Sequence, residues 1–177
     1  MRHRIVISLA FAVLALVATT AALAGSFNTT ATVTGAGSTS LTLPASASLT
    51  DTLDGTDQTV GYAPVLNVAD ARGTGAGWNL QISATTFADL SGHTLAAGQV
   101  GSVAEACKSG STCTPATSSG IAYPLTIGTT AAKFFSAALN TGLGKMDVTP
   151  TINVTIPGNA YAGNYTSTVT LAIALGP

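Results

Sequence analysis

From Met146 to Ile156 the chain alternates without a break. Met146, Val148, Pro150, Ile152, Val154 and Ile156 take the even positions, and Asp147, Thr149, Thr151, Asn153 and Thr155 the odd ones. Successive side chains of a strand point to opposite faces, so a period of two gives one dry face and one wet face. A helix would scatter the same residues around its axis. Tyr165–Leu175 shows the same pattern, with Tyr165, Val169, Leu171, Ile173 and Leu175 set against Thr166, Thr168 and Thr170. The Pro- and Gly-rich turn between them, Pro157–Asn164, predicts that the two strands form a hairpin.

A third segment behaves alike. Trp78, Leu80, Ile82 and Ala84 share one face, and Asn79, Gln81, Ser83 and Thr85 the other. It follows a turn with glycines at alternate positions, Gly73, Gly75 and Gly77, which permits positive φ and close backbone approach. This G-x-G-x-G is no dinucleotide fingerprint, because a strand follows it rather than a helix. Burying one large apolar side chain is worth roughly 1.5–3 kcal/mol, so these three faces are expected to carry most of the stability.

The rest of the chain reads as shorter strands and turns. Ala31 with Val33, and Leu41 with Leu43, suggest two strands around the Gly35–Gly37 turn, ended by Pro44. Ser46–Gly61 is a turn-rich connection, and Tyr62–Asp70 a strand that Pro64 opens. Phe87–Ser119 is weakly patterned, with a short helix around Val100–Cys107 as one reading. Ile121–Ile127 contains Pro124 and belongs at a sheet edge. Ala131–Leu139 holds adjacent Phe134 and Phe135, one expected in the core, with a helical reading competing. Turn signals recur at sandwich spacing and no strand–helix alternation is present. The fold class is therefore all-β, a mainly antiparallel β-sandwich of Ig-like or Greek-key type.

The N-terminus bears on location. Arg2, His3 and Arg4 precede the apolar run Ile5–Val17, and Ala22-Leu23-Ala24 is a small-x-small cleavage signal. This is the layout of a signal peptide cut after Ala24, leaving Gly25–Pro177 as one secreted domain with no membrane span. Cys107 and Cys113, in CKSGSTC, then read as a disulfide that pins a hairpin tip or loop. Two thiolates without a nearby His or third Cys cannot complete a zinc site.

Charge excludes several functions. Charged residues make up 7% of the chain, so the surface must be covered by hydroxyls and amides. Without Arg2 and Arg4 the balance is acidic, which argues against nucleic acid and anionic lipid as partners. Asp51, Asp54 and Asp57 are spaced three apart with no distant Glu, unlike a calcium loop. Asp54-Gly55 is better read as a tight turn. The mature chain has one histidine, His93, in a polar turn, and one glutamate, Glu105. Neither a nucleophile elbow nor a carboxylate pair on a cleft is evident. The expectation is a non-enzymatic protein with no cofactor and no metal.

The run Asp70-Ala71-Arg72-Gly73-Thr74-Gly75-Ala76-Gly77-Trp78-Asn79-Leu80 resembles the D-x-R-G-x-G-x-G-W-x-L motif of the WxL-domain family of bacterial cell-surface proteins. That family carries a second run, G-x-Y-T-x-T-x-T-W-x-L, near the C-terminus. Here it reads Gly163-Asn164-Tyr165-Thr166-Ser167-Thr168-Val169-Thr170-Leu171-Ala172-Ile173. Leu171 and Ile173 stand where the family has its second Trp and Leu. The resemblance implies an exported β-rich domain held noncovalently on the cell wall through peptidoglycan. It implies binding roles for Trp78 and Leu80, with Leu171 and Ile173 as apolar substitutes. The shared face of Trp78, Leu80 and Ile82 points instead to core packing.

A second likeness suggests another class of function. Ile156-Pro157 and Ala162–Thr166 resemble the end of fimbrial and spore-coat sandwich subunits. That reading makes the partners other surface proteins or copies of this chain, assembled as a homo-oligomeric fibre or layer. A strand around Thr29–Val33 would complete a neighbour's sheet.

Overall fold

The alternating segment becomes the longest strand, β10 (Gly144–Ile156), the axis of the larger of two sheets. In this computed structural model residues 29–118 and 120–177 are described. The expected signal peptide, its expected cleavage site and Ser119 lie outside them. The chain divides into two units, Met1–Thr32 and Val33–Pro177, and all the strands among the described residues belong to the second. Of the first unit, Thr29–Thr32 is exposed and without regular structure.

The larger sheet contains β1 (Thr39–Thr42), β2 (Gln58–Tyr62), β3 (Leu66–Asp70), β7 (Gln99–Cys107), β8 (Leu125–Thr126) and β10. Its order is β1-β3-β10-β7-β8, all antiparallel, with β2 also on β10. The smaller sheet is β11-β4-β9, from β4 (Trp78–Ala84), β9 (Ala132–Ala137) and β11 (Val169–Leu175). A two-strand hairpin, β5 (Phe87–Ala88) with β6 (Thr94–Leu95), stands apart. Among the described residues there is no helix. The dry faces meet in one core, with Leu66, Val68, Met146, Val148 and Ile152 from the larger sheet and Trp78, Leu80, Ile82 and Phe134 from the smaller.

Pro150 sits mid-strand in β10, where a missing N–H would ordinarily break a ladder. The register resolves this. On one side β3 pairs β10 up to Val148, and β2 takes over from Ile152. Pro150 falls in the gap between the two partners, so no ladder donor is asked of it there.

Four expectations are corrected. Met146–Ile156 and Tyr165–Leu175 do not form a hairpin, because β10 and β11 lie in different sheets. Two strands with one dry face each bury both by lying across a sandwich, and Pro157–Thr168 is the crossing between sheets. Val100–Cys107 is not helical. A bulge opposite Thr151/Ile152 lets the strand absorb Gly101, and the three-residue spacing of buried Val100 and half-buried Val103 is a product of that bulge. Phe134 and Phe135 are both buried, since β9 also bulges, between its pairings with Leu80 and Gln81. Thr29–Val33 forms no strand, and Val33 is 93% exposed. The edge position foreseen for Ile121–Ile127 holds, as β8 pairs only with β7.

Candidate functional site

The four positions singled out in the two motifs are brought together by strand pairing. β11 runs antiparallel to β4 with Leu80 opposite Ile173, Ile82 opposite Leu171 and Trp78 opposite Leu175. They form no exposed binding face. Trp78 and Leu80 are 0% exposed, so neither offers surface to a polymer. Leu171 and Ile173 are half-buried against the same core.

The residues before Trp78 build a clasp where the chain passes from one sheet to the other. Asp70 ends β3 fully buried, and Arg72 grips it with two bonds, Nε to Oδ1 at 2.9 Å and a terminal nitrogen to Oδ2 at 2.7 Å. The same nitrogen donates to the Gly77 carbonyl at 2.8 Å, holding the glycine turn closed. Hydrogen bonding from Arg72 keeps the Asp70 carboxyl below its ordinary range and raises the guanidinium in return. Gly73, Gly75 and Gly77 have φ of +69°, +64° and +73°, the left-handed region where a Cβ is strained. The Trp78 indole N–H donates to the Gly142 carbonyl at 2.9 Å and its ring packs on Phe135 at 5.9 Å. Gly142 has φ +69°, and a Cβ there would lie 2.7 Å from Trp78 Nε1. Gly176 N donates to the Gly77 carbonyl, and the Asn79 amide donates to the Gly176 carbonyl. The clasp thus ties both motif strands at one end.

The disulfide forms as expected. Cys107 ends β7 and Cys113 bridges to Gly144 at the start of β10, so the bond pins a loop beside the long strand. Asp54 accepts from Thr56 around Gly55, and Asp57 accepts from the Gly158 amide, so these acids are spent on turns.

Open surface lies at the other end of the sandwich. A cleft of about 960 Å³ is lined by Ile152–Ile156 of β10, Val169–Leu171 of β11 and the segment Leu43–Leu53. Leu171 lines it, the one residue of the four that does. Its rim carries Tyr161 and Tyr165. The His93 ring stacks on Tyr161, with centroids 3.9 Å apart and planes 14° from parallel. Asp89 fixes that ring, its Oδ2 2.7 Å from His93 Nδ1, while Oδ1 accepts the backbone N–H of Ser91 and His93. The bond from His93 holds the Asp89 carboxyl below its ordinary range. Tyr165 O–H donates to the Tyr161 carbonyl at 2.9 Å, and its own pKa is raised, by desolvation and then by Asp89. Ala88 and Thr166 exchange backbone bonds of 2.9 Å, docking the β5–β6 hairpin onto this loop.

The chain matches the family model described as "WxL domain surface cell wall-binding" over residues 21–177. It belongs to the WxL-domain family. No curated protein matches it. A cell-surface or cell-wall location follows from that membership, as does a role in binding the wall.

In this WxL domain the first motif run, Asp70–Leu80, lies apart from the open cleft, whereas Gly163, Asn164, Tyr165 and Leu171 of the second run line it. The first run is structural in its geometry, with the Asp70–Arg72 pair and the Trp78 indole hydrogen-bonded and the aromatic ring enclosed. The cleft has the chemistry of recognition, a concave and largely apolar surface with a few oriented polar groups. Sequence reasoning missed the Tyr161–His93–Asp89 cluster. Tyr161 and His93 lie in different turns, so no local spacing links them. The available signal was a tyrosine set between alanines in a Pro-Gly turn, where an aromatic side chain has no strand face to pack on.

Proposed function

We propose that this chain is exported and that its sandwich associates noncovalently with cell-wall peptidoglycan as a non-catalytic binding module. The observation that carries the reading is the family match across residues 21–177. The N-terminal Ala22-Leu23-Ala24 signal supports export, and a surface poor in charge suits a module that works at varying salt and pH. Trp78, Leu80, Leu171 and Ile173 serve this function by building the sandwich whose surface makes the contact.

Co-sedimentation with purified sacculi tests it. The mature protein, monomeric and with a β-type circular dichroism spectrum, is expected in the pellet with sacculi and in the supernatant without them. Native protein that stays in solution overturns the reading. Concentration-dependent polymers, lost on deleting Gly25–Thr34, would instead support the surface-fibre alternative.

A further inference from the structure

We propose that the cleft beneath Leu43–Leu53 binds an uncharged N-acetylated hexosamine chain, with Tyr161 as the ring on which a sugar packs. The inference rests on the wall-binding reading and assigns it a place and a chemistry.

Three observations converge. The first is the lining. It contains no Lys, Arg or His, and Asp51 is its one charged residue. A polyphosphate or an acidic stem peptide would meet no counter-charge there. Ser46, Ser48 and Asn164 offer hydroxyl and amide partners to sugar hydroxyls and acetamido groups, beside apolar walls. The second is Tyr161, which is 65% exposed although it is a large aromatic. His93 covers one face of its ring. The other is free for the apolar C–H face of a pyranose, a packing that rewards large rigid rings.

The third is preorganisation. Tyr161 sits in a loop, yet its position is set by the Tyr165 O–H on its carbonyl and by the His93 ring. His93 is set by Asp89, and the two loops are joined by the Ala88–Thr166 pairing. Fixing an exposed aromatic adds little to folding, but it lowers the ordering cost of binding a ligand. At about 960 Å³ the cleft stands at the upper end of ordinary small-molecule sites, room for more than one sugar ring.

The test uses the mature protein, tetra-N-acetylchitotetraose as soluble probe, and purified sacculi. Calorimetric titration is expected to show binding of the tetramer, and the tetramer should compete with sacculi. Tyr161→Ala should weaken both by about tenfold or more, the scale of 1.4 kcal/mol lost. Tyr161→Phe should retain them, and His93→Ala should weaken them by a smaller factor with an unchanged melting temperature. Tetramer binding without sacculus binding identifies a chitin-type source of the same chemistry and overturns the wall reading alone. Sacculus binding that Tyr161→Ala leaves intact, or that the tetramer does not compete, overturns this proposal and leaves wall binding standing. Binding of lipoteichoic acid in place of the tetramer overturns it too.

Discussion

Trp78 and Tyr161 occupy opposite ends of the same sandwich and opposite physical situations. Trp78 is enclosed, hydrogen-bonded to the Gly142 carbonyl, and approached by the two motif strands and the Asp70–Arg72 pair. Tyr161 is open to solvent and is held only by a stacked imidazole and a bond to its own carbonyl. The end that carries the first motif run is closed around Trp78, whereas the other end, lined in part by the second run, opens into the cleft. Trp78 therefore marks what the fold cannot lose, while Tyr161, the proposed sugar platform, lies on a loop where changes cost little stability.

The largest test of that contrast is Trp78→Ala. Removing a fully buried indole is expected to cost about 3–5 kcal/mol, seen as a lower denaturant midpoint. If the variant keeps its stability and loses only wall binding, the clasp is a contact surface and the contrast fails. Asp70→Asn comes next, at about 2–3 kcal/mol, because it weakens charge-assisted bonds to Arg72 in a buried setting. Its pH signature has a definite sign. The folded-state pKa of Asp70 is depressed, so its contribution is present above the unfolded value and is lost as pH falls through the folded one. Wild-type stability should begin to drop below about pH 4. The Asn variant, followed by thermal melts across the acid range, should show a shallower decline. An identical slope would mean that another carboxylate governs acid unfolding.

Breaking the Cys107–Cys113 loop ranks third. The bond closes a separation of six residues, and a loop that short is worth about 2 kcal/mol in chain entropy. A paired Cys107→Ser, Cys113→Ser variant should lower the melting temperature yet leave both ends of the sandwich working. Tyr161→Ala is expected to have the smallest stability effect, within about 0.5 kcal/mol. A loss comparable to that of Trp78→Ala would show that the Tyr161 loop is part of the core, and the distinction between the ends would collapse.

Much of this fold is legible in the sequence because period-two alternation is a local property. The faces of β10 and β4 could be read directly, and every even residue of Met146–Ile156 is buried; in β11 the expected face holds for half-buried Val169, Leu171 and Ile173, while Leu175 is 71% exposed and Tyr165 lies outside the strand. Two of the four misreadings share one cause. β7 and β9 each contain a bulge, and one added residue destroys the alternation that identifies a strand. Val100 with Val103, and Phe134 with Phe135, then mimic helical or one-sided spacing. The buried role of Trp78 was also legible, since it shares a face with Leu80 and Ile82. The cleft was not, since its walls come from segments far apart in sequence and its exposed aromatic is fixed by a histidine from another turn.

The sequence by itself determined that the chain is built of strands with one dry face, that its surface is nearly uncharged, and that a glycine turn leads into its only tryptophan. Tertiary structure decided which dry faces meet. β10 and β11 follow one another in the chain with a turn between them, and nothing local prevents a hairpin. They separate because β4 and β10 can each bury their apolar face only when a second sheet lies opposite, and β11 completes that sheet beside Trp78. The same choice places Ile152–Ile156 of β10 and Val169–Leu171 of β11 on the walls of the cleft that Tyr161 also lines.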